Sequence, residues 1–188
     1  EVITQAFTFV ATVETILEIG AIPVVVNVDD SYNMDPVELE SAITENTKLI
    51  IPVHMLGNPC DMDAICSIAK RHKIPVMEDA CEAFGGKYNG RWVGGLADVS
   101  IFSFQSVKNM PTADGGMICF QNKDYDALAR KLSWLGISKD TFNRTNSKGS
   151  YKWDYDVIDL GFKAHGNSIM AAMGLVALRY LDEDNSRR

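Results

Sequence analysis

The stretch Lys48–Asp79, KLIIPVHMLGNPCDMDAICSIAKRHKIPVMED, reads as strand, helix, strand. Lys48 to Val53 carries the apolar run Leu-Ile-Ile-Pro-Val and stops at His54, the pattern of a strand buried on both faces. Asp61 or Asp63 then stands where a helix cap is needed, and Ile65, Ile68 and Ala69 follow on one side of that helix. It ends in Lys70-Arg71-His72-Lys73, cations suited to the negative end of a helix dipole. Ile74 to Met77 forms the next apolar run and gives way to Glu78-Asp79.

Upstream, Ile22-Pro23-Val24-Val25-Val26-Asn27-Val28 is a β-branched strand expected to be covered on both faces. Asp35-Pro36 supplies an N-cap followed by proline at the first helical position, and opens a helix through Ile43. Strand–helix repetition at this spacing predicts an α/β fold with a mostly parallel central sheet and helices on both faces, a three-layer α/β/α arrangement. Ligands in such sheets bind beyond the carboxyl ends of the strands, which puts His54 and Asp79 on one functional edge.

Downstream, Asn89-Gly90 is a hairpin turn between two short extended pieces. Val99 to Phe104 and Gly116 to Phe120 read as strands around a loop over Ser106 to Gly115. Asp124 to Leu135 is an amphipathic helix with Leu128, Leu132 and Leu135 inward, Ser138 to Asp156 a long loop, and Asn167 to Leu181 a last helix. A tail, Asp182 to Arg188, follows.

The 188 residues suit one domain, and 46% hydrophobic content is that of a globular chain. A net charge of −7 gives no reason to expect nucleic acid or an acidic membrane as partner. No apolar run approaches the roughly 20 residues that span a bilayer. Cys60, Cys66, Cys81 and Cys119 show no CxxC pairing and no histidine in ligand spacing, so no metal site is expected. They read as small hydrophobes in a reducing cytoplasm.

An acid at a strand end and a later lysine in a Ser/Asn-rich loop are what pyridoxal phosphate (PLP) requires: an amine for its aldehyde, a carboxylate against its ring nitrogen. Asp79 and Lys108 fit these roles. On spacing alone, a helix-capping Asp79 and a Lys108 on a solvated loop are the favoured reading.

Glu78-Asp79-Ala80-Cys81-Glu82-Ala83, then Phe102-Ser103-Phe104-Gln105-Ser106-Val107-Lys108-Asn109, then Asp114-Gly115-Gly116 closely resemble the nucleotide-sugar aminotransferases of the DegT/StrS family, which have the aspartate-aminotransferase fold type. Phe7 to Thr12, Ile51 to His54 and Gly161 to Gly174 extend the likeness in order and spacing over nearly the whole chain. The resemblance implies that residues 1–188 are part of a PLP-binding large domain. A phosphate-binding turn upstream of Phe7 and a small C-terminal domain would lie outside them. Apolar faces at Ile169, Met170, Met173 and Leu175 are then expected to stay partly uncovered.

The resemblance also assigns roles. Lys108 matches the Schiff-base lysine and proton carrier, Asp79 the partner of the ring nitrogen, and Ser103 a hydroxyl donor to the cofactor phosphate. Phe9 matches the ring stacked on the cofactor, and Glu82 a position near its 3′-oxygen. The implied function is transfer of an amino group, usually from glutamate, to a keto sugar on a nucleoside diphosphate, for surface polysaccharide such as O-antigen or for glycosylated metabolites. A cytoplasmic homodimer is implied as well. Gly161-Phe162-Lys163-Ala164-His165-Gly166-Asn167 resembles a segment reaching towards the partner subunit's cofactor. Gly166 and Ser168 depart from the residues usual there. The alternatives are a PLP-dependent sugar dehydratase on the same fold, against which Lys108 argues, and an inert fragment or interaction module.

Overall fold

A computed structural model describes residues 1–138 and 155–187; the expected loop over 138–156 therefore lies almost wholly outside the described residues. The chain divides into two compact units, Glu1–Gln121 with Ile169–Arg188, and Asn122–Ser168.

In the first unit, β1 (Val2–Gln5) pairs in parallel with β2 (Pro23–Val26) on one side and β3 (Leu49–Ile51) on the other. β4 (Met77–Asp79) pairs in parallel with β7 (Val99–Ser103), and β7 in antiparallel with β8 (Gly116–Phe120). Parallel bridges Ile50–Val76 and Val53–Asp79 connect β3 to β4. The strand order is thus β2-β1-β3-β4-β7-β8, and the direction of winding reverses between β1 and β3. That reversal opens a crevice at the carboxyl ends of those strands.

Side-chain alternation explains the layers. Ile3, Val26, Ile50 and Val76 point to one face and pack with Leu39 of α2 (Pro36–Ala42) and Met62, Ile65 and Ile68 of α3 (Met62–His72). Val2 and Ile51 point to the other face and meet Ile16 of α1 (Val10–Glu18). Burying each such side chain contributes roughly 1.5–3 kcal/mol. The fold is α/β with helices on both faces of a largely parallel sheet, as expected.

Local chemistry sets the boundaries. Asp35 accepts from Val37 N and caps α2, whose N1 residue is Pro36. Asp61, not Asp63, caps α3 by accepting from Ala64 N at 3.1 Å. Lys73 closes α3 in the left-handed region. Asn89 (φ 49°) and Gly90 (φ 78°) make the turn between β5 (Lys87–Tyr88) and β6 (Arg91–Trp92) with both central residues at positive φ. β2 departs from expectation: it is an edge strand, and Val25 is 53% exposed.

The last helical region also differs. The stretch expected as one helix is α5 (Ser168–Ala177), three residues of turn, and α6 (Leu181–Arg187), which takes in most of the expected tail. At the break, Arg179 N and Tyr180 N bond carbonyls three residues back instead of four. Asn185 anchors α6 by donating to Phe84 O and accepting from Asn109. Ile169, Met173 and Leu175 are exposed, as expected, and Met170 is half-buried.

In the second unit, Asn122 caps α4 (Lys123–Leu132) by accepting from Asp124 N and Tyr125 N. α4 ends before Leu135, which has φ 60° and whose N–H donates to Phe162 O. Leu128 is 43% exposed, so the expected inner face is only partly covered among the described residues. Lys163 Nζ lies 4.5 Å from the Trp134 ring centroid, and His165 packs edge-on against the same ring.

Candidate active site

All five residues expected in the site belong to the first unit and to segments leaving the carboxyl ends of its strands. β1 delivers Phe9 and Thr12, β3 delivers His54, β4 delivers Asp79, Cys81 and Glu82, and β7 delivers Ser103 and the loop with Lys108. Buried amides tie these exits together. Gln5 accepts from Met34 N and Val53 N, and donates to Phe7 O and Tyr32 O. Every polar atom of this fully buried side chain is satisfied, so the loops after three strands are held in register.

Asp79 is 6% exposed. Its Oδ2 accepts from the Thr12 hydroxyl at 2.9 Å and its Oδ1 from Cys81 N at 3.2 Å. Two donors leave acceptor capacity for one further N–H. The Cys81 thiol lies against the same carboxylate; burial, then the charge of Asp79, push its pKa far above the usual thiol range. Cys81 is thus a protonated neighbour of the site, where the sequence suggested a core filler. Cys60 does behave as core: burial pushes its pKa up to about 12. All four thiols are unpaired.

Lys108 Nζ lies 3.3 Å from Glu82 Oε1, and Glu82 Oε2 accepts from Leu56 N at 2.9 Å. Leu56 holds φ 56°, a costly conformation for a branched residue, and the Glu82 carboxylate binds it there. Lys108 and Glu82 line a cavity of about 640 Å3 whose other walls include Gly57, Phe84, Asn109 and Asn185. Asp79, Ser103 and Phe9 do not line it. Ser103 Oγ accepts from Gln105 N, which leaves its own proton for a ligand among the bonds of the described residues. Phe9 is 73% exposed and offers a bare ring face.

His54 is a support beneath this edge. It is fully buried, and its Nδ1 accepts from Cys60 N. The ring proton is therefore on Nε2, 3.2 Å from Glu78 Oε2. Glu78 also accepts from Gly94, Leu96 and Ala97 N. Burial opposes its ionisation, yet the bonds from His54, Gly94 and Leu96 outweigh it and hold the carboxyl below its usual value.

An amine beside a carboxylate, a second carboxylate with an open lone pair, a hydroxyl donor and an exposed aromatic face form a donor set that fits PLP: aldehyde, ring nitrogen, phosphate and ring. Among the described residues no group of His, Cys, Asp and Glu could hold a metal, and no helix is long and apolar enough to cross a membrane. Thr12, Cys81 and Glu78 gained no role from the sequence. The signal available was two adjacent acids, Glu78-Asp79, at the end of an apolar run.

Residues 1–188 match the DegT/DnrJ/EryC1/StrS aminotransferase family, and the chain belongs to it. It is 42% identical to the spore coat polysaccharide biosynthesis protein SpsC of Bacillus subtilis (strain 168), over all of this chain and 48% of SpsC. Helicobacter pylori PseC, an aminotransferase of pseudoaminic acid biosynthesis, superposes with a TM-score of 0.87 at 29% identity, over 96% of this chain and 46% of PseC. A Streptococcus pneumoniae protein in its PMP form gives 0.86 at 33% identity, over 97% of this chain and 50% of its own; it is also known in a PLP form. The chain spans about half the length of the curated relatives it matches. The family and these structural neighbours are PLP-dependent sugar aminotransferases.

Proposed function

We propose that the protein is a PLP-dependent aminotransferase that moves an amino group from an amino acid, glutamate by preference, to a nucleotide-linked keto sugar for polysaccharide or glycosylated-metabolite biosynthesis. Residues 1–188 are part of its cofactor-binding large domain. The observation that carries the reading is the Lys108–Glu82 pair at the rim of a cavity, beyond the sheet edge where Asp79 is held. PLP, when bound, supplies an aldehyde that captures amines and a ring that draws electrons from them.

Each residue then has a task. Lys108 Nζ would be the amine that holds the cofactor aldehyde and, once free, the base that moves a proton between the two carbons of the 1,3-shift. Glu82, paired with that amine, keeps it oriented and takes up its charge. Asp79 would hold a proton on the ring nitrogen, the Ser103 hydroxyl would donate to the phosphate, and Phe9 would lay its face against the ring. The enzyme acts as a homodimer in the cytoplasm; exposed apolar residues on α5 and four unpaired thiols support this.

Replacing Lys108 with Ala in the whole protein is expected to abolish amino transfer and labelling by borohydride in the presence of PLP. The label should map to Lys108 in the wild type. Undiminished turnover by the variant would sink the assignment.

A further inference from the structure

We propose that Thr12 is a positioning residue for Asp79, the inner member of a directed hydrogen-bond chain, Thr8 to Thr12 to Asp79, that keeps the proton shared with the cofactor on the ring nitrogen. The inference rests on the reading of Asp79 as the ring-nitrogen partner.

The direction of the chain follows from counting protons. An ionised carboxylate only accepts, so the single hydroxyl proton of Thr12 must lie on the 2.9 Å contact to Asp79 Oδ2. Thr12 Oγ1 is then the acceptor in its 3.0 Å contact with Thr8 Oγ1, and Thr8 is the donor. The alternative acceptor for Thr8, Phe9 O, is further away at 3.3 Å. Thr8 stands just ahead of α1 and Thr12 on its first turn, so the entry of the chain into that helix sets the geometry.

Burial makes the contact count. Thr12 is 8% exposed and Asp79 6%, so water competes little for either oxygen. Each donor stabilises negative charge on the oxygen it touches, and successive bonds polarise one another. Together with Cys81 N on Oδ1, both carboxylate oxygens carry a donor. A carboxylate stabilised in this way is a poor thief of the ring proton, and the ring keeps its full capacity to draw electrons. Helix formation alone does not ask for Thr12; a β-branched residue there is mildly unfavourable.

The test uses the whole protein with PLP carrying nitrogen-15 in its ring, and the variants Thr12→Val, Thr12→Ser and Thr8→Val. Thr12→Val is expected to raise the Kd for PLP about tenfold, the loss of one hydrogen bond to a charged group. Its ring nitrogen resonance should move towards that of the unprotonated ring. Thr12→Ser, which keeps the donor, should restore both. Thr8→Val should give a smaller shift of the same sign, and it carries the test if Thr12→Val does not fold. Wild-type affinity and resonance in the Val variants, with Lys108 still labelled by borohydride, would overturn the role of Thr12 alone. Absence of the Lys108 label in the wild type would overturn the underlying reading and this inference with it.

Discussion

Phe9 sits at the N-cap of α1, makes no side-chain cap bond and leaves its ring 73% exposed. Ser, Thr, Asp or Asn would cap the helix better, and an aromatic ring in water contributes nothing to the core. A position that is wrong for the helix and wrong for the core is what the proposed stacking of Phe9 on PLP would account for. Phe9→Ser is therefore expected to stabilise the protein without cofactor by about 0.5–1 kcal/mol, seen as a higher melting temperature. The same variant should bind PLP several-fold more weakly. A variant less stable than the wild type would mean that the ring packs against protein. This residue was legible as part of a family-like string. Its misfit as a cap became visible only once α1 was seen to begin at Val10.

Among the elements, the two caps show what local sequence can decide. Asp35-Pro36 leaves one reading, and α2 follows it. Asp61 and Asp63 left two readings, and the contacts that each side chain makes separate them. Asp61 Oδ1 accepts from Ala64 N and from the Tyr88 hydroxyl, so it holds both the helix start and the hairpin. Asp63 is 60% exposed at its side chain and pairs with Arg91. Asp61→Ala is expected to cost about 1 kcal/mol or slightly more, and Asp63→Ala no more than about 0.5 kcal/mol. Parallel denaturant titrations would check the ranking, and equal losses would contradict it. The misjudged helix ends have a common physical origin. α4 stops where Leu135 N is taken by Phe162 O, and α6 is held by Asn185 on Phe84 O. Such long-range bonds leave no periodicity in a local window, and no glycine or proline marks the break over 178–180.

At the scale of the whole molecule, strand–helix repetition and unbroken apolar runs such as Leu49 to Val53 made the three layers legible, because a central strand must bury both faces. The grouping of Asp79, Lys108, Ser103, Phe9 and Glu82 as one proposed site comes only from the resemblance, since acids and lysines on loops are common to all α/β enzymes. The buried Glu78 could not be foreseen as a knot, because its partners come from β3's exit and from the loop over 94–97. Those bonds tie two distant segments to β4, so Glu78 bears on global stability and on its pH dependence. Its carboxyl is held below the usual value near 4.5 in the folded state. A depressed folded value means that the stabilisation is fully present above about pH 4.5 and fades as pH falls through the folded value. Glu78→Gln, which keeps the shape and loses the charge, is expected to cost about 2 kcal/mol at neutral pH. The gap to the wild type should narrow below pH 4.5, where the wild type takes up the proton that the variant never needed. Urea unfolding from pH 7 to pH 3 measures that gap, and a constant difference across the range would show that Glu78 acts through packing and not through its charge.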